Sequence, residues 1–357
     1  PDVPRETPPD VPRGPGKRRT PKKPPRRKPP VDEPRMKPPV EEPPPPGRSP
    51  MREPPDTEGT SVAGIPLSHA QKILYPEDGL TKIDLARYVE RVSLAMLPHV
   101  EGRPLMLLRC PEGRGRTCFF QKHPAGTVHR SLVPVRIREK SGKNETYLTA
   151  RDEAGLVALV QMGVLEVHVW GARADEIEKP DRIVFDLDPG PKVTWSFVIE
   201  TAHRVRELLQ EIGLASFAKT TGGKGIHVVV PIRRGPSWDE IKELSAGIAS
   251  GLVREQPDRM TTHLSKARRE GRIFIDTLRN RRGATWVAPF SPRARPGAPV
   301  STPVSWSELI PRLRPDRFTV RTVPSRLGRG GKDPWSEMES ARQTVGAAML
   351  RSLRAAR

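Results

Sequence analysis

The sequence has few cysteines, few aromatic residues and no long apolar run. Its 357 residues include two cysteines, Cys110 and Cys118, and 5% aromatic residues. The cysteine spacing lacks the close C-x2-C pairs of zinc sites, so we expect free thiols and a reducing compartment. No apolar run approaches the ~20 residues that span a bilayer, and no signal-peptide stretch opens the chain. We therefore expect no membrane contact and a cytoplasmic location.

Basic residues, in contrast, are abundant. The chain carries 62 Lys and Arg against 42 Asp and Glu, for a formal net charge of +20. Residues 1–60 hold 14 basic and 10 acidic residues, so most of the excess lies beyond them. A balance of this size favours an acidic partner, of which nucleic acid is the commonest.

Composition also divides the chain. Residues 1–58 hold 21 of its 43 prolines and no aromatic residue, which is typical of an extended, disordered linker. The basic residues there either touch phosphates without specificity or are solvated in a spacer. We expect one folded domain over residues 59–340 and a short helix or tail over 341–357.

Helix and strand patterns are mixed along the folded domain. Capping boxes at Thr81/Asp84 and Ser237/Glu240 begin two amphipathic helices. The other predicted elements are helices over 152–162 and 195–212 and strands over 165–170, 181–188, 215–220, 226–232 and 272–278. This mixture predicts an α+β or α/β domain built on a central sheet.

Asp186 and Asp188 end an apolar strand in the segment DRIVFDLD. Side chains at i and i+2 share one face of a strand, so the two carboxylates point together. Paired anions repel unless a cation lies between them, and hard divalent ions prefer such oxygen ligands. The alternative is an exposed pair of aspartates beside a turn.

The segment TTGGKGIH, residues 220–227, is rich in glycine between two strands. Glycines let backbone N–H groups approach phosphate oxygens, and Lys224 adds a positive charge. The alternative is a tight hairpin turn that needs positive φ. A turn requires neither Lys224 nor His227, so we favour a phosphate-binding loop.

Two further residues have a structural and a functional interpretation. Asp276 is a lone acid in an apolar strand, where it is either an ion-pair partner of a nearby arginine (Arg269, Arg272 or Arg279) or a third metal ligand. His168 shares a strand face with Glu166, and a lone histidine of this kind is more often structural than functional.

Aromatic and basic residues cluster in two other segments. Phe119 and Phe120 lie between Arg109 and Lys122. Adjacent strand residues face opposite sides, so we expect one phenylalanine in the core and the other free to stack on a base. The segment SPRARP contains Arg293, whose guanidinium either binds a phosphate with two hydrogen bonds or is solvated.

Together these motifs resemble the polymerase domain of bacterial multifunctional DNA ligase D, of the archaeo-eukaryotic primase superfamily. The matching segments are LYPEDGLTKIDLARY, DLD, TTGGKGIH, FID, APFSPRARPGAPVSTPVSW and FTVRTVPSRL, in that order between Ile65 and Trp335. The resemblance implies an α+β primase-polymerase fold with central mixed or antiparallel sheets flanked by helices. It also implies extension of DNA ends and gap filling in non-homologous end joining, in the bacterial nucleoid. NTPs or dNTPs would be the substrates, often NTPs, with manganese or magnesium, Ku and an ATP-dependent ligase module as partners.

The resemblance also implies roles for individual residues. Metal-binding and catalytic positions match Asp186, Asp188 and Asp276; nucleotide-binding positions match His168, Thr221, Gly222, Lys224, Gly225, His227 and Arg293; DNA-binding positions match Lys72, Lys82, Arg109, Phe119, Phe120, Lys122 and Arg269. Lys72 and Lys82 correspond to lysines that grip a downstream 5′-phosphate. Thr221 replaces the more usual serine and keeps the hydroxyl.

The residues agree with catalysis by two divalent ions bridged by carboxylates, Mg²⁺ and Mn²⁺ being equally suitable. No protein nucleophile is required. Two alternatives remain: another metal-dependent phosphodiesterase or nucleotidyltransferase, and a non-catalytic module that binds DNA ends. Three acidic residues in these positions favour an enzyme, because a binding module does not need them.

Overall fold

The computed structural model of the chain describes residues 59–124, 126, 128–328, 333–346 and 349. The predicted disordered segment 1–58 lies outside the described residues, as does most of the predicted helix or tail at 341–357. Within the described residues no helix is long and apolar enough to cross a bilayer.

Five α-helices and sixteen strands form the described part of the chain. The helices are Lys82–Val100 (α1), Glu153–Gln161 (α2), Trp195–Glu211 (α3), Trp238–Glu255 (α4) and Val323–Gly328 (α5). The strands are Ser61–Val62 (β1), Ile65–Pro66 (β2), Ile73–Tyr75 (β3), Leu80–Thr81 (β4), Leu105–Arg109 (β5), Phe119–Gln121 (β6), Leu132–Arg138 (β7), Asn144–Ala150 (β8), Val164–Trp170 (β9), Arg182–Pro189 (β10), Phe217–Thr220 (β11), Ile226–Pro231 (β12), Met260–Thr261 (β13), Ile273–Asp276 (β14), Thr285–Val287 (β15) and Pro303–Val304 (β16).

Two larger sheets organise these strands. The first has six strands in the order β13-β14-β10-β12-β11-β16, and the second has four in the order β15-β9-β5-β6. The pairs are antiparallel except β13 with β14, which run parallel. The fold is therefore α+β with mixed and antiparallel sheets, as expected.

The helix starts follow from local sequence. Thr81 and Asp84 form a capping box at the start of α1, and Ser237 and Glu240 form another at the start of α4. In each box the hydroxyl accepts the N3 backbone N–H while the N3 carboxylate accepts the N–H of the capping residue, which satisfies donors that the helix leaves open. Both predicted capping boxes are confirmed.

Strand β10 contributes alternate residues to two hydrophobic cores. Phe185 and Leu187 are buried with the apolar faces of α3 and α4, whereas Val184 packs in a second core with α1, α2 and the four-stranded sheet. Alternation along a strand places Asp186 and Asp188 on the Val184 side. The two aspartates therefore face the space between the two larger sheets.

The expectation of two free thiols was wrong, because Cys110 and Cys118 form a disulfide. Arg109 of β5 lies opposite Phe119 of β6, so the residues that follow and precede them are also neighbours. Only strand pairing shows this proximity, since a spacing of eight residues matches no motif. The cysteines therefore no longer support the expectation of a reducing compartment.

Candidate active site

Four polar side chains form a row across four neighbouring strands of the six-stranded sheet. Asp186 on β10 lies opposite Asp276 on β14 and, on its other side, opposite His227 on β12. His227 in turn lies opposite Lys219 on β11. We call Asp276, Asp186, His227 and Lys219 the polar row. All four are buried, so their charges interact strongly.

Asp186 is held as an anion by two neighbours. Its Oδ1 lies 3.4 Å from Nε2 of His227, and its Oδ2 accepts hydrogen bonds of 3.2 Å from both Nε and Nη2 of Arg279. Burial disfavours the ionised form, but His227 and Arg279 outweigh it and keep the pKa of Asp186 below its ordinary value. Since Asp186 is 9% exposed, the alternative of an exposed turn aspartate is wrong for this residue, whereas the side chain of Asp188 is 55% exposed.

The other two carboxylates are less well compensated. Burial and the charge of Asp186 raise the pKa of Asp188, whose Oδ2 accepts a hydrogen bond of 3.1 Å from Arg269. Burial also raises the pKa of Asp276, which accepts the N–H of Leu278 and lies 3.6 Å from Arg279. A raised carboxylate pKa means that additional positive charge would stabilise these groups.

These three carboxylates suit a divalent cation in their chemistry, because Mg²⁺ and Mn²⁺ prefer hard oxygen ligands. Among the residues described, however, no three Asp, Glu, His or Cys side chains converge closely enough to hold an ion. The guanidinium of Arg279 lies between Asp186 and Asp276. The three carboxylates that could bind an ion are thus present, and the positive charge of Arg279 compensates two of them in this structure.

The glycine-rich loop has features of both interpretations given to it. Gly222 has φ +66, as a tight turn requires. A Cβ on Gly225 would lie 2.6 Å from the carbonyl oxygen of Leu187, so only glycine lets the loop approach β10 this closely. Thr221 bonds to Gly225 through its backbone and its hydroxyl, while Lys224 is exposed without a hydrogen-bonding or ionic partner among the described residues.

A cleft of about 500 Å³ lies in front of the row. Eight of the predicted site residues line it, namely His168, Asp186, Asp188, Thr221, Lys224, Gly225, His227 and Arg293. Asp276 and Gly222 adjoin these residues without lining the cleft. Sequence reasoning named Arg279 only as a possible ion-pair partner of Asp276 and Arg295 only within the segment SPRARP, and it did not name the lining residues Thr285 and Trp286.

Glu166 organises one wall of the cleft and was not selected as a site residue either. Its carboxylate lies 2.9 Å from Nε2 of His168 and 3.0 Å from Nε of Arg293, and it accepts the N–H of Ala294 at 2.9 Å. Burial opposes ionisation, but His168 and Arg293 lower the pKa of Glu166 to about 2. Burial also lowers the pKa of His168, which favours neutral imidazole. In the sequence, the feature that could have identified Glu166 is its position two residues before His168 on β9, which places both side chains on one face of the strand.

Lys72 and Lys82 lie outside the cleft but next to each other. The hairpin of β3 and β4 folds the segment between them back, and the Lys82 N–H donates to the Lys72 carbonyl at 2.9 Å. Lys72 pairs with Glu112 at 2.6 Å, and the buried Lys82 ammonium donates to the Ser68 carbonyl at 2.8 Å. The hairpin thus brings the backbones of the two lysines together, while phosphate binding stays a prediction.

The two phenylalanines of β6 differ from expectation. Phe119 and Phe120 are 45% and 60% exposed, so the prediction that one enters the core was wrong. They lie on β6, a short strand at the edge of the four-stranded sheet. Phe120 contacts the His168 ring edge-on at 5.6 Å and so adjoins the cleft.

The remaining predicted DNA-binding residues lie in three places. Arg109 bonds to the Met162 carbonyl and to Gln121, with its guanidinium 5.7 Å from the Phe119 ring. Lys122 is exposed directly after β6. Arg269 lies against Asp188 and stacks on Phe274 at 3.7 Å. In this conformation Arg269 therefore belongs to the carboxylate site.

The chain is similar to known proteins of one family. Residues 81–335 match the family described as the LigD primase-polymerase domain. The chain is 38% identical over 311 residues to the multifunctional non-homologous end joining protein LigD of Pseudomonas aeruginosa, covering 87% of this chain and 37% of that protein. The corresponding protein of Mycolicibacterium smegmatis is 35% identical over 257 residues, covering 71% of this chain and 34% of that protein. The chain thus spans about a third of the length of these curated relatives.

A solved structure shows the same fold. The polymerase domain of Mycobacterium tuberculosis ligase D, determined in complex with DNA, superimposes with a TM-score of 0.72 at 33% identity. The match covers 77% of this chain and 98% of that domain. The chain belongs to the LigD primase-polymerase domain family.

Proposed function

We propose that this chain is a metal-dependent nucleotidyltransferase that extends primer strands and fills gaps at DNA ends during non-homologous end joining. One observation carries the proposal. Asp186 and Asp188 line the same cleft as Lys224 and Arg295, two exposed cations without a side-chain partner among the described residues. A nucleoside triphosphate needs both kinds of residue, because its phosphates require positive charge and its reacting centre requires a site for cations.

Different residues of the cleft would bind the metal ions and the triphosphate. Asp186, Asp188 and Asp276 would hold two Mg²⁺ or Mn²⁺ ions, which supply the charge that activates a 3′-hydroxyl and stabilises departing pyrophosphate. Lys224, Arg293 and Arg295, which line the same cleft, would neutralise triphosphate oxygens. Thr221, Gly222 and Gly225 bring the backbone of the loop close to those oxygens.

Glu166 and His168 set the geometry of the nucleotide site. Glu166 orients the His168 ring and the Arg293 guanidinium together, so both reach the cleft in fixed directions. His227 supports Asp186 from behind, and its Nδ1 is buried without a hydrogen-bond partner among the described residues. We therefore assign His227 primarily to the support of the Asp186 carboxylate.

The surface beside the cleft suits DNA. Phe120 adjoins His168 and is exposed, so it can stack on a template base next to the incoming nucleotide. Arg109 supports Phe119, and Lys122 extends the basic surface. We propose that Lys72 and Lys82 bind the 5′-phosphate across a gap. The family likeness further suggests Ku and an ATP-dependent ligase module as partners.

Primer extension on a gapped duplex with a 5′-phosphate tests the proposal. Wild-type protein with NTPs or dNTPs and Mg²⁺ or Mn²⁺ is expected to lengthen a labelled primer. Asp188→Asn is expected to abolish extension while DNA affinity in EDTA stays near wild type, because the carboxylate removed binds cations rather than phosphate.

The same assay distinguishes the alternatives. A primer that becomes shorter indicates a phosphodiesterase. Unchanged primers, with DNA binding that is insensitive to EDTA and to Asp188→Asn, indicate a module that only binds DNA ends. Either result contradicts the proposed polymerase.

A further inference from the structure

Arg279 lies where a cation is needed between two carboxylates. Its Nε and Nη2 each lie 3.2 Å from Oδ2 of Asp186, and its Nη2 lies 3.6 Å from Oδ2 of Asp276. Asp186 and Asp276 are directly opposed on neighbouring strands and nearly buried. Without a counterion the two anions would repel each other in a poorly solvated place.

The backbone of Arg279 is fixed while its side chain has room to move. Asn280, the next residue, is buried and bonds through its amide to both the N–H and the carbonyl of Val184 on β10, each at 2.8 Å. This anchors the 3-10 turn Leu278–Asn280 that follows β14. The Arg279 side chain, in contrast, is 38% exposed and lines the cleft, and its only other bond among the described residues is from Nη1 to the Thr285 carbonyl at 3.3 Å, which does not involve the six-stranded sheet. It can leave the carboxylates without any change in the sheet.

Charge balance makes Arg279 and a divalent ion competitors. The three aspartates carry three negative charges, and Arg269 and Arg279 supply two positive ones. An ion bound by Asp186 and Asp276 would need the Oδ2 atoms that Arg279 now occupies. A guanidinium and a doubly charged cation that shared these oxygens would repel each other strongly in a partly buried site.

We propose that Arg279 is an internal counterion that neutralises Asp186 and Asp276 in the ion-free protein and is displaced when a divalent ion binds. This rests on the proposed function, because it assumes that these carboxylates hold the ions. Displaced into the cleft, Arg279 joins Lys224 and Arg295 on the side of the triphosphate. A bound triphosphate therefore favours the displaced arginine and thereby favours ion binding.

By thermodynamic linkage the effect is reciprocal, so ions also tighten nucleotide binding. Arg279 is a positioning residue in this scheme. It weakens ion binding to the empty protein and makes full ion binding depend on nucleotide. The arrangement limits occupation of the carboxylates before a substrate is present.

Mn²⁺ binding in the absence of nucleotide tests this directly, with free Mn²⁺ followed by electron paramagnetic resonance on the whole chain. Arg279→Gln is expected to bind Mn²⁺ at least roughly tenfold more tightly than wild type, since a positive charge that competes for the two carboxylates is removed. Arg281→Gln is the matched control. It removes the same charge from an exposed position just after the same turn, away from the carboxylates, and should leave Mn²⁺ affinity unchanged.

A second measurement addresses the coupling. With a non-hydrolysable nucleoside triphosphate analogue, wild-type Mn²⁺ affinity should rise strongly, and Arg279→Gln should show a smaller rise. A purely structural arginine would lower the melting temperature in EDTA without tightening Mn²⁺ binding. Should Arg279→Gln not fold, Arg279→Lys keeps the charge but loses the planar fork, and it is expected to bind Mn²⁺ more tightly than wild type.

The outcomes separate this inference from the proposed function. If wild type binds Mn²⁺ and Asp188→Asn does not, but Arg279→Gln (or Arg279→Lys, where the first does not fold) binds Mn²⁺ no more tightly than wild type, the counterion role is refuted and the metal site stands. If wild type binds no Mn²⁺ even with the analogue present, the metal site of the proposed function fails and the counterion role fails with it.

Discussion

Replacing Glu166 with glutamine should reduce both the stability of the fold and the affinity for nucleotide. Glutamine has nearly the same shape but lacks the charge that faces His168 at 2.9 Å and Arg293 at 3.0 Å. Those contacts lower the pKa of Glu166 from an ordinary 4.5 to about 2 despite its burial. At ~1.4 kcal/mol per pKa unit, the ionised carboxylate contributes about 3 kcal/mol to stability at neutral pH.

The pH dependence of this contribution has a definite sign. A carboxylate whose pKa is lower in the folded state stabilises the fold above its unfolded pKa, and the contribution is lost as pH falls through the folded pKa. The difference between wild type and Glu166→Gln should therefore be constant above about pH 5.5 and shrink as pH falls from 4.5 towards 2. Urea unfolding at a series of pH values measures it.

Nucleotide binding provides a second readout for the same variant. Without the Glu166 charge, His168 loses its ionic partner and Arg293 keeps only its bond to the Thr221 carbonyl, so the KM for the incoming nucleotide should rise more than the Kd for DNA. Glu166→Asp, which keeps the charge on a shorter side chain, is the control for charge. A Glu166→Gln variant that unfolds within about 0.5 kcal/mol of wild type at pH 7 and has the wild-type KM would refute the reasoning.

Three further predictions concern other parts of the chain. Lys224→Ala should raise the nucleotide KM with little effect on the Kd for DNA. Primer extension at a series of nucleotide concentrations measures this KM. An unchanged KM would mean that Lys224 does not contact the triphosphate. Wild type should bind gapped duplexes with a 5′-phosphate better than those without, and the Lys72→Ala, Lys82→Ala double variant should lose this preference; equal loss of affinity for both duplexes would argue against a phosphate pocket. Asp181→Ala should destabilise the fold by about 3–5 kcal/mol in urea unfolding, because it leaves Arg103, 1% exposed and bonded to both Asp181 oxygens at 2.7 and 2.8 Å, buried without its partner. A loss under about 1 kcal/mol would show that Arg103 finds another partner.

Local patterns predicted the elements that carry the site. The period of apolar residues and the capping boxes located α1 and α4, and the apolar segment ending in Asp186 and Asp188 located β10. These features depend on neighbours a few positions away, so they are visible in one sequence. Strands β7 and β8 were not predicted, because much of their length is polar and alternates only weakly.

Long-range relations could not be predicted in the same way. That Asp276 opposes Asp186 depends on the pairing of β14 with β10, ninety residues apart. The resemblance grouped them, but the residues alone left Asp276 with an ion pair or a metal as alternatives. Arg279 was named only as one of three possible partners for it. Its position between two carboxylates follows from the turn after β14, which local sequence does not specify.

The assembly of the polar row depends directly on the register of strand pairing. Each of its members reaches the cleft side only because its strand pairs in one register, and a shift by a single residue turns a strand's side chains to the opposite face. A chain with a slipped β10 would place Phe185 and Leu187 in the cleft and bury Asp186 and Asp188 against α3 and α4. Such a chain would lose the proposed catalytic site and part of its apolar core. Misfolding by register slip therefore yields inactive and unstable protein together, and catalytic activity in a purified sample reports how much of the sheet is correctly assembled.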